Sequence, residues 1–242
     1  LPENRRIQRN KTGSGTKPGR AAPYENADVP DNAYPDGRLA EHAVETMGRL
    51  AKRKEPFFLA VGFYKPHLPF NAPKKYWDMY PEDTIKLPAN YRKKPTDAPD
   101  GAVHNSGELR AYHGVPRRGP VSDEMARNLI RGYYACVSYT DASVGKLLDG
   151  LDRLGLADNT IIVLWGDHGW NLGDHTMWCK HSCFESSLRV PLLVAAPGQK
   201  LNRRSRRLVE LIDLYPTLCD LTGLVKPDHL QGQSLVALLK DP

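Results

Sequence analysis

Residues 160–169 read Thr-Ile-Ile-Val-Leu-Trp-Gly-Asp-His-Gly, and this stretch decides how the rest of the chain is read. From Thr160 to Trp165 there is no charge and a high share of β-branched side chains, the composition of a strand covered on both faces. The run stops at Gly166 and passes directly into a carboxylate, an imidazole and a second glycine at Asp167, His168 and Gly169. In open α/β sheets ligands bind just beyond the carboxyl ends of strands, so a buried strand with a polar tip marks both an architecture and a site.

Working outward, the same grammar recurs. Phe57–Phe63 is a continuous apolar run that breaks abruptly into Tyr64-Lys65-Pro66-His67-Leu68-Pro69, and it reads as a second buried strand. Leu192–Ala196 reads as a third, closed by Pro197-Gly198, and Val209–Ile212 as a fourth. Between them lie helical periods. Leu39, Ala43, Met47 and Leu50 share one face after Asp36-Gly37. Ser122-Asp123 can cap a long helix to about Leu154, whose apolar face includes Leu129, Ile130, Tyr133, Val137, Val144, Leu147, Leu148, Leu151 and Leu154. Gly132 and Gly145 weaken it locally. A short helix follows over Tyr215–Leu221. Helices alternating with apolar strands predict an α/β layered domain, its largely buried mixed or parallel sheet flanked by helices.

The expected organisation is coil over residues 1–35 and one incomplete catalytic domain over 36–242. Within it, the proline-rich, aperiodic stretch 71–120 is a long functional loop excursion. The chain opens on Leu1 inside a Pro/Gly/basic stretch, which reads as a cut edge, so the lack of a leader says nothing about export.

Composition narrows the partners. The 242 residues are 40% hydrophobic and 26% charged with a net charge of +6, an ordinary globular balance that favours acidic ligands. The basic runs, Arg5 to Arg20 and Arg203 to Arg207, have no interleaved aromatics, which argues against nucleic acid. No apolar run reaches membrane-spanning length. Cys136, Cys179, Cys183 and Cys219 lack paired zinc spacing, and Cys179 and Cys183 are open either to pairing or to staying thiols.

Two expected strand tips and the following loop gather the chemistry. Asp167 supplies a hard oxygen for a divalent cation, with His168 beside it and Gly169 letting the backbone turn close to the ion. The plainer alternative is that Asp167 caps the next turn and His168 packs. Lys65 and His67, stiffened by the prolines between and after them, offer a positive charge for an oxyanion and a proton for a leaving oxygen. Their alternative is a rigid turn with exposed polar residues. The loop beyond adds Asp174, His175, Lys180 and His181, with Trp178 as its anchor. Glu185 and Arg189 read as a structural helical pair.

Taken together, PFFLAVGFYKPHLPF, YYACVSYTDASVGKLLDGLDRLGL, NTIIVLWGDHGWNLGDH, WCKHS, RVPLLVAAPG and VELIDLYPTLCDLTGL resemble, in order, the sulfatase family of the alkaline-phosphatase-like superfamily, on its iduronate-2-sulfatase-like branch. The resemblance implies Asp167 and His168 as metal ligands for Ca²⁺, Lys180 and His67 as contacts of the sulfate and the leaving oxygen, and Lys65 as their neighbour. It gives His175 no definite role. It implies hydrolysis of sulfate esters, on sulfated carbohydrate, by a formylglycine nucleophile that a maturation enzyme makes from Cys or Ser. It also implies a periplasmic, extracellular or lysosomal setting. The Cys/Ser-x-Pro-x-Arg motif of that nucleophile is absent here, so the formylglycine segment is expected in a missing N-terminal portion and these residues alone are expected to be inactive. Two rivals remain: a phosphoester or phosphonate-ester hydrolase on the same scaffold, and a non-catalytic anion-binding relative.

Overall fold

The structure is a computed structural model that describes residues 21–199 and 202–241. In chain order its elements are β1 (Tyr24–Glu25), α1 (Pro35–Ala51), β2 (Phe70–Asn71), α2 (Lys74–Trp77), α3 (Gly107–Arg110), α4 (Asp123–Arg153), β3 (Ile162–Trp165), β4 (Asn171–Leu172), β5 (Trp178–Cys179), α5 (Glu185–Leu188), β6 (Leu192–Ala195), α6 (Leu214–Thr222) and α7 (Val236–Lys240). They fall into two compact units. Of the described residues, one unit comprises 21–154 and 167–190, the other 155–166, 191–199 and 202–241. The basic run from Arg5 to Arg20 lies outside the described residues.

The first unit is built on α4. Ser122 caps it as its sequence predicts, the hydroxyl accepting from the Met125 amide at 3.1 Å. The helix runs unbroken through Gly132 and Gly145. Gly132 has a packing reason: a Cβ there would sit 2.8 Å from the Trp77 ring and 2.9 Å from Phe70. The helix gives up propensity so that the core aromatics can touch its backbone. Its buried stripe is also shifted from the expected one. Ala126, Leu129, Ala135, Cys136, Tyr139, Ser143 and Gly150 are buried, while Val137 and Leu148 are exposed. Small residues win the stripe because α1 packs close, with Val44 and Met47 against Gly150. On α1 the inward face is Ala40, Ala43 and Met47.

Around this pair the core takes Tyr76, Trp77, Ile85, Leu109, Tyr112 and Val115 from the 71–120 stretch, beside Leu68, Phe70 and Tyr139, so the excursion is packed as well as aperiodic. Within the segment expected to be coil, β1 pairs in parallel with β2.

The second unit holds β3 and β6, paired antiparallel from Ile162 opposite Ala195 to Trp165 opposite Leu192. In the first unit β4 and β5 also pair antiparallel, so among the described residues the sheets are three separate two-stranded pairs, one parallel and two antiparallel. Two expected strands differ. Phe57–Phe63 is extended, but among the described residues it has no ladder partner, and Phe58 is 80% exposed. Apolar composition favours extended chain, yet a strand exists only where a neighbour supplies hydrogen bonds. Val209–Ile212 gives way to a turn that starts a helix. The Glu210 amide donates to Asp213 at 2.9 Å in a capping box, and α6 follows.

Candidate active site

The site lies wholly within the first unit. Lys65 is fixed from two helices: its amide donates to Asp36 Oδ2 on α1 at 2.8 Å, and its carbonyl accepts from Thr140 Oγ1 on α4 at 3.1 Å. The peptide bonds Lys65–Pro66 and Leu68–Pro69 are both cis. Lys65 Nζ turns inward to the carbonyls of Pro69 at 2.6 Å and His67 at 3.1 Å. Lys65, 9% exposed, thus braces its own turn, sharing the Pro69 carbonyl with the Asn71 amide at 2.8 Å. Burial pulls its ammonium below the ordinary lysine range, against which the nearby Asp36 works.

This brace presents His67. Its Nδ1 donates to the Leu68 carbonyl at 2.7 Å, which leaves Nε2 as the working nitrogen. Nε2 meets Lys180 Nζ at 2.5 Å, although the two residues are 113 apart in sequence. Both pack on Trp170: His67 edge-on at 5.2 Å between ring centroids, Lys180 with its ammonium 5.1 Å from the ring centre. Desolvation lowers the His67 pKa from the usual imidazole value, and Lys180 and Lys65 lower it further; the Leu68 carbonyl and Glu108 act in the opposite direction.

Glu108, on α3, is the residue the sequence gave no reason to single out. Its Oε1 lies 3.0 Å from His67 Nε2, and its Oε2 lies 3.0 Å from Lys180 Nζ, an ion pair without hydrogen-bond alignment. Its side chain is only 14% exposed. It sits in a four-residue helix inside an aperiodic stretch, where no pattern marks it.

The tip after β3 approaches the same place through its aromatic residue. His168 stacks on Trp170 at 6.0 Å, so one ring joins the two tips that the sequence expects to be neighbours. Gly169 makes room for neighbouring backbone. A Cβ there would lie 2.1 Å from the Ser186 carbonyl, and its amide donates to Ser187 O at 2.7 Å. The glycine admits the backbone of α5. Below it, Asn171 is fully buried; Nδ2 donates to Cys179 O at 2.8 Å and Ser187 Oγ at 2.9 Å, and Oδ1 accepts from Ser186 Oγ at 2.5 Å.

The loop bearing Lys180 is backbone-strained, with left-handed φ at His175, Thr176, Cys179 and His181. Trp178 anchors it as expected, buried, its amide donating to Ser106 Oγ at 2.8 Å. His175 turns to the Lys93 carbonyl at 3.0 Å and stacks on Phe184, with no contact to His67 or Lys180 among those described. Arg92 pairs with Asp123 at 2.8 Å.

A cation would find only part of a cage here. The Asp167 side chain is 84% exposed, its Oδ1 accepting from the His168 amide at 3.0 Å. His168 Nδ1 is committed to the Gly169 carbonyl at 2.8 Å. Among the described residues no group of three or more His, Cys, Asp or Glu side chains gathers to hold a metal. Calcium takes about six to eight oxygens. Asp167 fits one such place, and the described residues do not complete the cage.

The family model described as Sulfatase matches residues 8–224 of this chain. The chain belongs to the sulfatase family. Within the sulfatase family it is 37% identical over 236 residues to iduronate 2-sulfatase of Mus musculus, covering 85% of this chain and 43% of that protein. Over 240 residues it is 34% identical to iduronate 2-sulfatase of Homo sapiens, with the same 85% and 43% shares. The chain thus spans under half the length of either relative. In structure it is similar to the phosphonate monoester hydrolase of Silicibacter pomeroyi, with a TM-score of 0.75 and 25% identity over 96% of this chain and 46% of that one. These likenesses give the alkaline-phosphatase-like fold. Sulfatase-family enzymes are in general calcium-dependent and use formylglycine. No described helix is long and apolar enough to cross a membrane.

Proposed function

We propose that the full-length protein is a sulfuric ester hydrolase acting on sulfated carbohydrate, in the manner of iduronate 2-sulfatase. One observation carries this reading: Lys180 Nζ and His67 Nε2 converge at 2.5 Å on one aromatic platform, in a chain of the sulfatase family. Lys180 binds a sulfate oxygen and stabilises the charge that grows on the sulfuryl oxygens as the ester bond breaks. His67 passes its Nε2 proton to the departing oxygen. A sugar hydroxyl is a poor leaving group, so this proton is worth about 10²–10⁴-fold in rate. Lys65 serves by holding the turn that aims His67.

Calcium with a formylglycine nucleophile would supply a polarised sulfate oxygen and an attacking hydroxyl. Asp167 is this chain's carboxylate towards the cation, with His168 beside it. A formylglycine-generating enzyme is the maturation partner that this chemistry needs, and an exported setting follows from the family. Lys93, Lys94, Arg117 and Arg118, all exposed on the 71–120 excursion, are placed to meet a polyanionic substrate.

A second reading, phosphonate monoester hydrolysis, is favoured by the 0.75 TM-score to an enzyme of that activity. One experiment separates the two. The full-length protein, matured with its formylglycine-generating enzyme, is given 4-nitrophenyl sulfate, a 2-O-sulfated uronate disaccharide and a phenyl phosphonate monoester. A higher kcat/KM on the sulfates supports the first reading. A clear preference for the phosphonate refutes it.

A further inference from the structure

Two cations and an imidazole crowd the first unit's site: Lys65, Lys180 and His67. Among the described residues, the carboxylate that touches the working pair is Glu108. Its two oxygens divide between His67 Nε2 and Lys180 Nζ, each at 3.0 Å, while those two nitrogens lie 2.5 Å apart. The carboxylate is delivered by α3, whose register is fixed by its own packing. Leu109 is 1% exposed in the core, and Arg110 ties α3 to the carbonyls of Asn105, Pro116 and Gly119 at 2.8–3.1 Å. Ser106, just before α3, accepts from the Trp178 amide, so the elements that carry Glu108 and Lys180 are pinned to each other.

We propose that Glu108 is the positioning residue of this acid–cation pair, holding the Lys180 ammonium and the protonated His67 imidazole together in one place. The proposal rests on the sulfate-ester reading for its kinetic consequence and on geometry alone for its structural one. Neutral His67, with its Nδ1 proton on the Leu68 carbonyl, accepts at Nε2 from Lys180. Imidazolium cannot accept, and in that state its Nε2–H needs an acceptor, which is Glu108 Oε1. In the bond-breaking step an attacking oxygen nucleophile bonds to sulfur while the departing oxygen keeps the ester S–O electron pair and takes the Nε2 proton. His67 is then neutral, and its lone pair turns back to the Lys180 N–H. The charged or titratable groups facing the imidazole are Lys180, Lys65, Glu108 and the Tyr64 phenol ring, 4.9 Å from the imidazole between centroids. Of these, only Glu108 favours the protonated form.

The test uses the matured full-length enzyme and Glu108→Gln, which keeps shape and an acceptor but removes the charge, with melting temperature as the folding control. The expected result is a loss of about 100-fold in kcat/KM on an alkyl sulfate and under about 10-fold on 4-nitrophenyl sulfate, whose leaving group needs no proton. The basic limb of the kcat/KM profile should move down by about one pH unit. Glu108→Asp, with charge kept and reach shortened, should hold the wild-type limb. Equal losses on both substrates with an unmoved limb overturn the proposal, as does a Glu108→Asp limb displaced as far as that of Gln. A readout without turnover stands beside these: in ¹⁵N spectra the His67 ring should titrate about one unit lower in Glu108→Gln than in wild type. Identical titrations overturn the proposal. A wild-type enzyme inert to every sulfate defeats the sulfatase reading instead, and the ring titration still decides the role of Glu108.

Discussion

Replacing Asn171 with alanine should be among the most damaging single changes near the site. Its amide is fully buried and makes three hydrogen bonds at 2.5–2.9 Å, to Cys179 O, Ser187 Oγ and Ser186 Oγ. Each net bond is worth about 1 kcal/mol, so the three together contribute roughly 3 kcal/mol. A domain of this size loses about 2–4 °C in Tm per kcal/mol, which translates to a fall of roughly 6–12 °C. Asn171→Asp discriminates further. It retains the acceptor for Ser186 but aims a buried carboxylate oxygen at the Cys179 carbonyl, and it should be worse than alanine. Ser186→Ala removes one bond and should cost about 1 kcal/mol. Differential scanning fluorimetry and urea titration of the full-length protein at pH 7 measure all three. A loss below about 1 kcal/mol for alanine, or a milder effect for aspartate than for alanine, refutes the reasoning.

Gly169→Ala should destabilise by about 2–3 kcal/mol, because its Cβ meets the Ser186 carbonyl at 2.1 Å; urea midpoints check it. In the matured enzyme Lys180→Ala should lower kcat/KM by about 10²–10³-fold, with most of the loss in kcat, as steady-state kinetics would read. For pH, burial holds folded His67 below its unfolded value of about 6.5, so the unfolded chain binds that proton more readily. The stabilisation from neutral His67 is therefore complete above about pH 6.5 and is lost as pH falls through it toward the folded pKa. Melting curves of wild type and His67→Gln should accordingly differ more at pH 7.5 than at pH 5.

Much of the frame can be read from the chain itself because its signals are local. The Ser122 cap, the long period of α4 and the uncharged runs that become β3 and β6 each carry their cause within a few residues. The meeting of His67 with Lys180 is reached by a different route, from two apolar runs with polar tips, of which only the one before Asp167 forms a strand among the described residues. Glu108 and Asn171 are illegible for the opposite reason. Their importance lies in partners that are close only after folding, and neither falls on a periodic face. Gly132 and Gly169 show the same limit: each is visible as a glycine, but what presses on it is a distant ring or carbonyl. Phe57–Phe63 marks where composition stops short, since apolar side chains choose extended chain and only a neighbour makes it a strand.

That extended run also governs how the polypeptide must be handled. Phe57 to Phe63 carries no charge and no proline and joins no ladder among the described residues, features shared by segments prone to edge pairing. Glu55 and Pro56 stand immediately before it, behind the basic run at 52–54, and a charge and a proline in those places are the gatekeepers against such pairing.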